Sequence, residues 1–217
     1  MRTVLVALLV LAGNAFATPF AVQVGEARLG LDAPPGFTDT QFTGSPRLQE
    51  IGESLTSASN RVLLFALSDA DLRRFTLGDQ LELRRYMIAV TPRAMERERM
   101  SESAFKSLAA DVLRELGELP KGDYQKHLES RPPGVSSMLA ELRNEPDAVS
   151  VLQGSRSKPP RFFERSKFLL SSTSVVLLRG KALTLSVYTQ YDTPADLEWI
   201  RVTTARWIED LKRLNSR

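Results

Sequence analysis

The sequence predicts an α+β fold in which helices pack on a mainly antiparallel sheet, in the manner of an α/β/α sandwich. Short apolar runs pair around turns near both ends of the chain, which is typical of antiparallel hairpins. Helical segments lie between and after these hairpins instead of alternating strictly with strands. The 217 residues, 42% hydrophobic and 25% charged, suit one globular domain over residues 18–217.

Residues 1–17 are predicted to be a signal peptide. Arg2 precedes nine uninterrupted apolar residues, and the small residues Ala15 and Ala17 follow at the spacing that a signal peptidase recognises. The apolar run is too short to span a bilayer, which needs about 20 residues. We therefore expect cleavage after Ala17 and a bacterial periplasmic or secreted location, with no transmembrane segment in the remaining chain. A buried N-terminal strand or helix is the alternative.

The first half of the domain begins with a predicted hairpin over residues 20–31, and the prolines of the Pro-Pro-Gly-Phe run at 34–37 stop it. Apolar residues at helical spacing predict a helix over 46–57. A nearly continuous apolar run predicts a central strand over 61–67, followed by one or two helical turns.

A second strand is predicted over residues 81–90, with Pro92 ending it. A long helical region over 92–119 follows, and its second half carries a clear apolar stripe. Residues 121–160 are predicted to be irregular and insertion-like, with room for a short helix at 136–143 and a strand at 148–153.

The last third of the chain predicts a hairpin and a terminal helix. One strand ends near residues 175–178, a turn follows at Arg179-Gly180-Lys181, and residues 182–189 alternate with a period of two. Thr193-Pro194-Ala195-Asp196 has the pattern of a capping box with proline at the first helical position. The amphipathic helix that it opens is expected to pack on the hairpin.

This order of elements resembles the exported PsbP-like α/β/α sandwich proteins. The resemblance lies in the N-terminal hairpin that ends in Pro-Pro-Gly-Phe at 34–37 and in the closing hairpin and helix over 175–214. It covers the first 90 and the last 60 residues, and no counterpart is assigned to 121–160. Because members of that family are mostly binding or assembly factors, the resemblance implies a non-catalytic role and no particular site residues.

Composition excludes several classes of function. The chain has no cysteine, which excludes disulfides, thiolate metal sites, cysteine nucleophiles and a lipoprotein anchor. With 29 Lys and Arg against 26 Asp and Glu, the net charge of +3 is too balanced for a dedicated nucleic-acid binder. We expect no cofactor and no metal site.

Motifs for catalysis are weak. His127 is the single histidine and lies in a polar segment, so neither a serine triad nor a zinc site is favoured. Ser103 and Lys106 match a common S-x-x-K spacing without the companion motifs of that enzyme class. The glycines at 117 and 122 lack the lysine of a phosphate loop, and Asp69-Ala70-Asp71 lacks the rest of a calcium loop.

Two arginine pairs are candidate contacts for an anion: Arg73 with Arg74, and Arg84 with Arg85. On a strand the side chains of Arg84 and Arg85 point to opposite faces, so they cannot form one clamp. If Arg85 shares a face with Met87, it is partly buried and needs a carboxylate or an anionic ligand. Ordinary surface charge is the alternative for all four.

These observations favour an exported, non-catalytic binding or assembly module whose partner is an envelope protein or an anionic envelope component. One alternative is an envelope hydrolase or transferase that uses Asp, Glu and Ser groups which no spacing rule reveals. Another is a peripheral factor that binds anionic lipid or cell-wall polymer through its arginines.

Overall fold

The computed structural model describes residues 19–115, 119–120, 123–157 and 167–216. The predicted signal peptide lies outside them. The strands are β1 Phe20–Val24, β2 Ala27–Leu31, β3 Phe37–Asp39, β4 Asn60–Ser68, β5 Arg85–Pro92, β6 Ser136–Glu145, β7 Ala148–Arg156, β8 Phe168–Leu178 and β9 Lys181–Tyr191. The helices are α1 Pro46–Ser54, α2 Asp69–Thr76, α3 Glu102–Glu115, α4 Tyr124–Glu129 and α5 Pro194–Asn215, with 3₁₀ turns at Thr40–Thr43 and Arg93–Met95.

The main sheet has seven strands in the order β3-β4-β5-β9-β8-β7-β6, and every neighbouring pair is antiparallel. β1 and β2 form a separate two-stranded sheet. The predicted α+β class and the mainly antiparallel sheet are therefore confirmed. β3 is one edge of the seven-stranded sheet, and no strand in the described part of the chain pairs with its outer side.

Helices cover both faces of the sheet. Side chains alternate along each strand, so the strands present apolar residues to both faces. On β9, Leu183 and Leu185 belong to the largest apolar core, which α5, Leu128 of α4 and the β1–β2 hairpin close. Tyr188 of the same strand faces the opposite side, where α1 and α2 pack on β4 and β5. α3 packs on that second side through Phe105. The predicted α/β/α layering is confirmed.

The terminal helix forms as the sequence predicts. Pro194 stands in its first turn, and the carboxylate of Asp196 accepts the backbone N–H of Thr193 at 2.9 Å. Ile200, Trp207, Ile208 and Leu211 are buried against the sheet. The indole N–H of Trp207 also donates to the carbonyl of Asp32 at 2.8 Å, which ties α5 to the segment after β2.

The prediction of an irregular region over 121–160 was wrong where the structure describes it. α4 and the long β6–β7 hairpin occupy this stretch. The short helix expected at 136–143 is a strand, whereas the strand expected at 148–153 is confirmed as part of β7. The β6–β7 register shifts between Met138 and Ala140 and again between Glu141 and Arg143. Such bulges interrupt the two-residue alternation, so the apolar residues of β6 have no strand-like period in the sequence.

Two strand boundaries also differ from the prediction. β5 begins only at Arg85, because Leu83 has a positive φ of 50° that breaks an extended run from residue 81. The N-terminal hairpin ends at Leu31, before the prolines, as predicted, but a further short strand, β3, starts at Phe37 in the main sheet and was not expected. The first half of the predicted helix over 92–119 is a 3₁₀ turn and a loop, and the α-helix begins at Glu102.

None of the described helices combines the length and apolarity needed to cross a bilayer.

Candidate functional site

A cleft of about 780 Å³ lies at the β3 edge of the main sheet. The start of β1, the loop 32–36, β3, the 3₁₀ turn after it and the first two turns of α2 form its walls. Its volume falls within the roughly 300–1,000 Å³ typical of sites for small molecules or short peptide segments. The cleft is therefore the first candidate for a binding site.

Local backbone bonds hold the β3 side of the cleft. The N–H of Phe37 donates to the carbonyl of Pro34 at 3.1 Å, which closes a tight turn around Pro35 and Gly36. Gly36 has a φ of +88°, a conformation that an L side chain rarely adopts. Its carbonyl accepts the N–H of Asp69 at 3.0 Å, so the loop and the start of α2 are joined directly.

Aromatic side chains form much of the apolar wall. The rings of Phe20 and Phe42 meet edge to face with centroids 5.4 Å apart, and Phe42 is 64% exposed. Phe37 is buried, and its ring centroid lies 6.1 Å from that of Trp199 of α5. An exposed phenylalanine at the mouth of an apolar cleft is suited to cover a ligand.

Asp39 is a buried carboxylate in this wall. Its oxygens accept the backbone N–H of Gln41 at 3.1 Å and the side-chain amide of Gln41 at 2.7 Å. Burial raises the pKa of Asp39 to about 6, although the hydrogen bonds from the backbone of Gln41 and Phe65 act in the opposite direction. Asp39 is thus partly protonated in mildly acidic solution.

Asp32 and Asp69 are the other two carboxylates of the cleft. Burial raises the pKa of Asp32, a hydrogen bond from Ala33 lowers it, and the nearby charge of Asp210 raises it again. One oxygen of Asp69 accepts the hydroxyl of Thr38 at 2.8 Å. Within the described ranges, no basic side chain forms a salt bridge with either of these carboxylates.

The cleft lining offers little for covalent chemistry. Thr38 supplies a hydroxyl that lies next to the carboxylate of Asp69. Neither histidine nor lysine is among the described residues that line the cleft. No cluster of three or more potential metal ligands occurs in the described part of the chain. The envelope hydrolase therefore stays a hypothesis that this geometry does not develop.

The first predicted arginine pair, at the end of α2, divides between two environments. Arg73 lines the cleft, and its Nε donates to the carbonyl of Asp69 one turn earlier at 3.2 Å. Arg74 lies outside the cleft and pairs with Asp79 at 3.3 Å and Glu82 at 3.2 Å. The hydrogen bonds that Arg74 donates to these two carboxylates, above all to Glu82, raise the pKa of Arg74.

The second predicted pair does not form one clamp, as expected. Arg84 precedes β5 and makes an exposed salt bridge with Asp192 at 2.9 Å. Arg85 points toward α5, where it bonds Asp196 at 2.9 Å and lies over the ring of Trp199 at 4.2 Å. The expected need of Arg85 for a carboxylate is met inside the fold. Contact of these arginines with an external anion stays a prediction.

The weaker catalytic motifs remain apart from the cleft. His127 lies on α4, while Ser103 and Lys106 are exposed on α3, where the Ser103 hydroxyl bonds that of Ser101 at 3.0 Å. The glycines of the phosphate-loop candidate at 117 and 122 lie outside the described residues.

Among the charged residues of the cleft, the sequence suggests a binding role for Arg73 alone. The sequence places Asp69 only at the start of an incomplete calcium loop and gives no role to Asp32 or Asp39. The available signal was the placement of carboxylates and phenylalanines on both sides of the Pro-Pro-Gly run. That pattern reveals a site only once the position of α2 beside this segment is known.

No protein-family model matches the sequence, and no curated protein matches it either. Among solved structures, the chain is similar to the Saccharomyces cerevisiae Ran-binding protein Mog1p, at 11% identity over 93% of this chain and 94% of that one. The TM-score is 0.34.

Proposed function

We propose that this chain is an exported binding module whose cleft at the β3 edge takes a ligand with apolar groups. The observation that carries the proposal is the cleft itself: about 780 Å³, walled by phenylalanines and open at Phe42. Asp39 is buried and Asp32 and Asp69 are half-buried, and carboxylates in an apolar wall are placed to orient a ligand. A large exposed aromatic ring is also the kind of side chain that dominates binding energy at recognition sites.

The cleft favours this function over binding of an anionic polymer. Three carboxylates line it against one arginine, Arg73. Of the remaining predicted anion contacts, Arg74, Arg84 and Arg85 each have an acidic partner within the protein. An anionic ligand would therefore have to displace carboxylates at each of these positions.

Titration with the neutral fluorophore N-phenyl-1-naphthylamine tests the binding site. We expect saturable binding at one site per chain, and the Phe42→Ala variant should bind about tenfold more weakly because a main contact of the ligand is lost. Val202→Ala is the control, since Val202 is 56% exposed on α5 and does not line the cleft. Equal affinity of the wild type and the Phe42 variant would contradict the proposed site.

Export is a separate part of the proposal and rests on residues 1–17. Expression of the full chain in a bacterial host should give protein outside the cytoplasm whose intact mass is that of a chain beginning at Thr18. Replacing Ala15 and Ala17 with arginine should block this processing, whereas replacing Thr18 with serine should not. Recovery of unprocessed protein from the cytoplasm alone would contradict export.

A further inference from the structure

We propose that the ligand of the cleft is a segment of a partner protein in which a Lys or Arg side chain stands between apolar or aromatic ones, extended along the outer edge of β3. This inference rests on the proposed function, because it names the ligand class of the same site.

The charge of the cleft favours a cation. Asp32, Asp39 and Asp69 line it against Arg73 alone. The guanidinium of Arg73 bonds a backbone carbonyl through Nε. Burial and the charge of Asp210 disfavour the ionised form of Asp32 and raise its pKa, and a cation beside Asp32 would favour the ionised form.

The aromatic wall supports the same chemistry. A basic side chain has an apolar stem and a charged head, so the stem can lie against phenylalanine while the head reaches a carboxylate. The protein makes a contact of this type within its own fold, where Arg85 lies over Trp199 and bonds Asp196. Phe20 and Phe42 offer comparable ring surfaces at the cleft, and Phe42 is largely exposed.

The sheet edge distinguishes a peptide from a small cationic molecule. Phe37, Thr38 and Asp39 line the cleft and form the outermost strand of the seven-stranded sheet. β3 pairs with β4 on one side, and no strand of the described chain pairs with its other side, although the N–H of Phe37 is already bonded to the carbonyl of Pro34. An extended peptide can add to such an edge through its backbone while alternate side chains enter the pocket.

The probe is the peptide acetyl-Ser-Phe-Val-Arg-Val-Phe-Ser-amide, in which arginine and both phenylalanines share one face of an extended strand. Its matched partner has neutral citrulline in place of arginine. Calorimetry with the full chain should show about tenfold tighter binding of the arginine peptide, which corresponds to one charge-assisted contact. Equal affinity for the two peptides would overturn the proposal.

Variants locate the cation. Asp32→Asn combined with Asp69→Asn should reduce the preference for arginine to about twofold or less. The control is Glu50→Gln combined with Asp192→Asn, which removes two exposed carboxylates outside the cleft. An unchanged preference in the cleft variant would overturn the assignment of the cation to Asp32 and Asp69.

Backbone methylation tests the pairing with β3. In an added edge strand, alternate amides face the sheet, so N-methylation of one alternate set should weaken binding about tenfold and that of the other set should not. Equal effects of both sets would overturn edge pairing and favour a small cationic molecule.

A dimer in sedimentation that Phe42→Ala dissociates would also overturn the proposal, in favour of a second copy as the occupant. If the fluorophore fails to bind as well, the proposed function fails with it.

Discussion

Asp39 shows how the fold changes the chemistry of a single residue. It is 5% exposed, and burial raises its pKa from 3.8 to about 6. Between these two values the folded protein keeps a proton that the unfolded chain has released. Stability is therefore highest below about pH 4 as far as this group is concerned, and it falls as the pH rises through about 6, by roughly 3 kcal/mol in total.

Asp39→Asn should remove this loss. The variant cannot ionise, and asparagine still accepts a backbone N–H at the start of the 3₁₀ turn. Between pH 4.5 and pH 7.5 we expect its free energy of unfolding, relative to that of the wild type, to increase by roughly 1–3 kcal/mol. Urea unfolding at a series of pH values measures the difference.

Glu50→Gln serves as the control, because Glu50 is exposed on α1. It should follow the pH dependence of the wild type. If Asp39→Asn and the wild type changed in parallel across the whole interval, Asp39 would not be the group that titrates there.

The N-terminus of α5 shows how one element is fixed to the sheet. The carboxylate of Asp196 accepts the N–H groups of Thr193 at 2.9 Å and Asp192 at 3.1 Å, and it bonds Arg85 of β5. Burial acts to raise its pKa, but the bond from the Thr193 backbone and those from Arg85 and Asp192 lower it overall. The ionised carboxylate thus caps the helix and joins it to the strand.

Asp196→Ala should lower the free energy of unfolding by about 1–2 kcal/mol, since it removes a helix cap and leaves Arg85 without its carboxylate. The matched variant is Asp192→Ala, which breaks the neighbouring Arg84–Asp192 salt bridge. Both side chains of that pair are more than half exposed, so the variant should stay close to the wild type. Urea unfolding at pH 7 compares the two.

Equal losses for the two variants would contradict this assignment. They would show that the short distance of each ion pair, and not the burial and capping of Asp196, determines its contribution.

The same helix shows what could be predicted from the sequence. Its capping pattern and apolar stripe are local, so residues 193–214 are enough to identify it. The β8–β9 hairpin is predicted for the same reason, because its alternation is regular around Arg179-Gly180. β6 was missed because two register shifts disturb its alternation. β3 was missed because it has three residues and follows two prolines.

At the scale of the whole molecule, the cleft depends on contacts between distant parts of the chain. Asn215 of α5 donates to the carbonyl of Gly30 at 2.8 Å and accepts the N–H of the same residue at 2.9 Å. This pair of hydrogen bonds fixes the β1–β2 hairpin, whose first residue, Phe20, lines the cleft. No local pattern in the sequence specifies that Phe20 meets Phe42 or that Arg73 faces the same space.

Mapping the binding site by NMR tests the central claim most directly. The amide spectrum of the ¹⁵N-labelled full chain would be followed during titration with N-phenyl-1-naphthylamine. We expect the shifts to concentrate at residues 36–42 and 69–73, with the β6–β7 hairpin unchanged. Shifts centred on β6, β7 or the C-terminal half of α5, or spread evenly over the surface, would contradict the claim that the cleft beside β3 is the binding site.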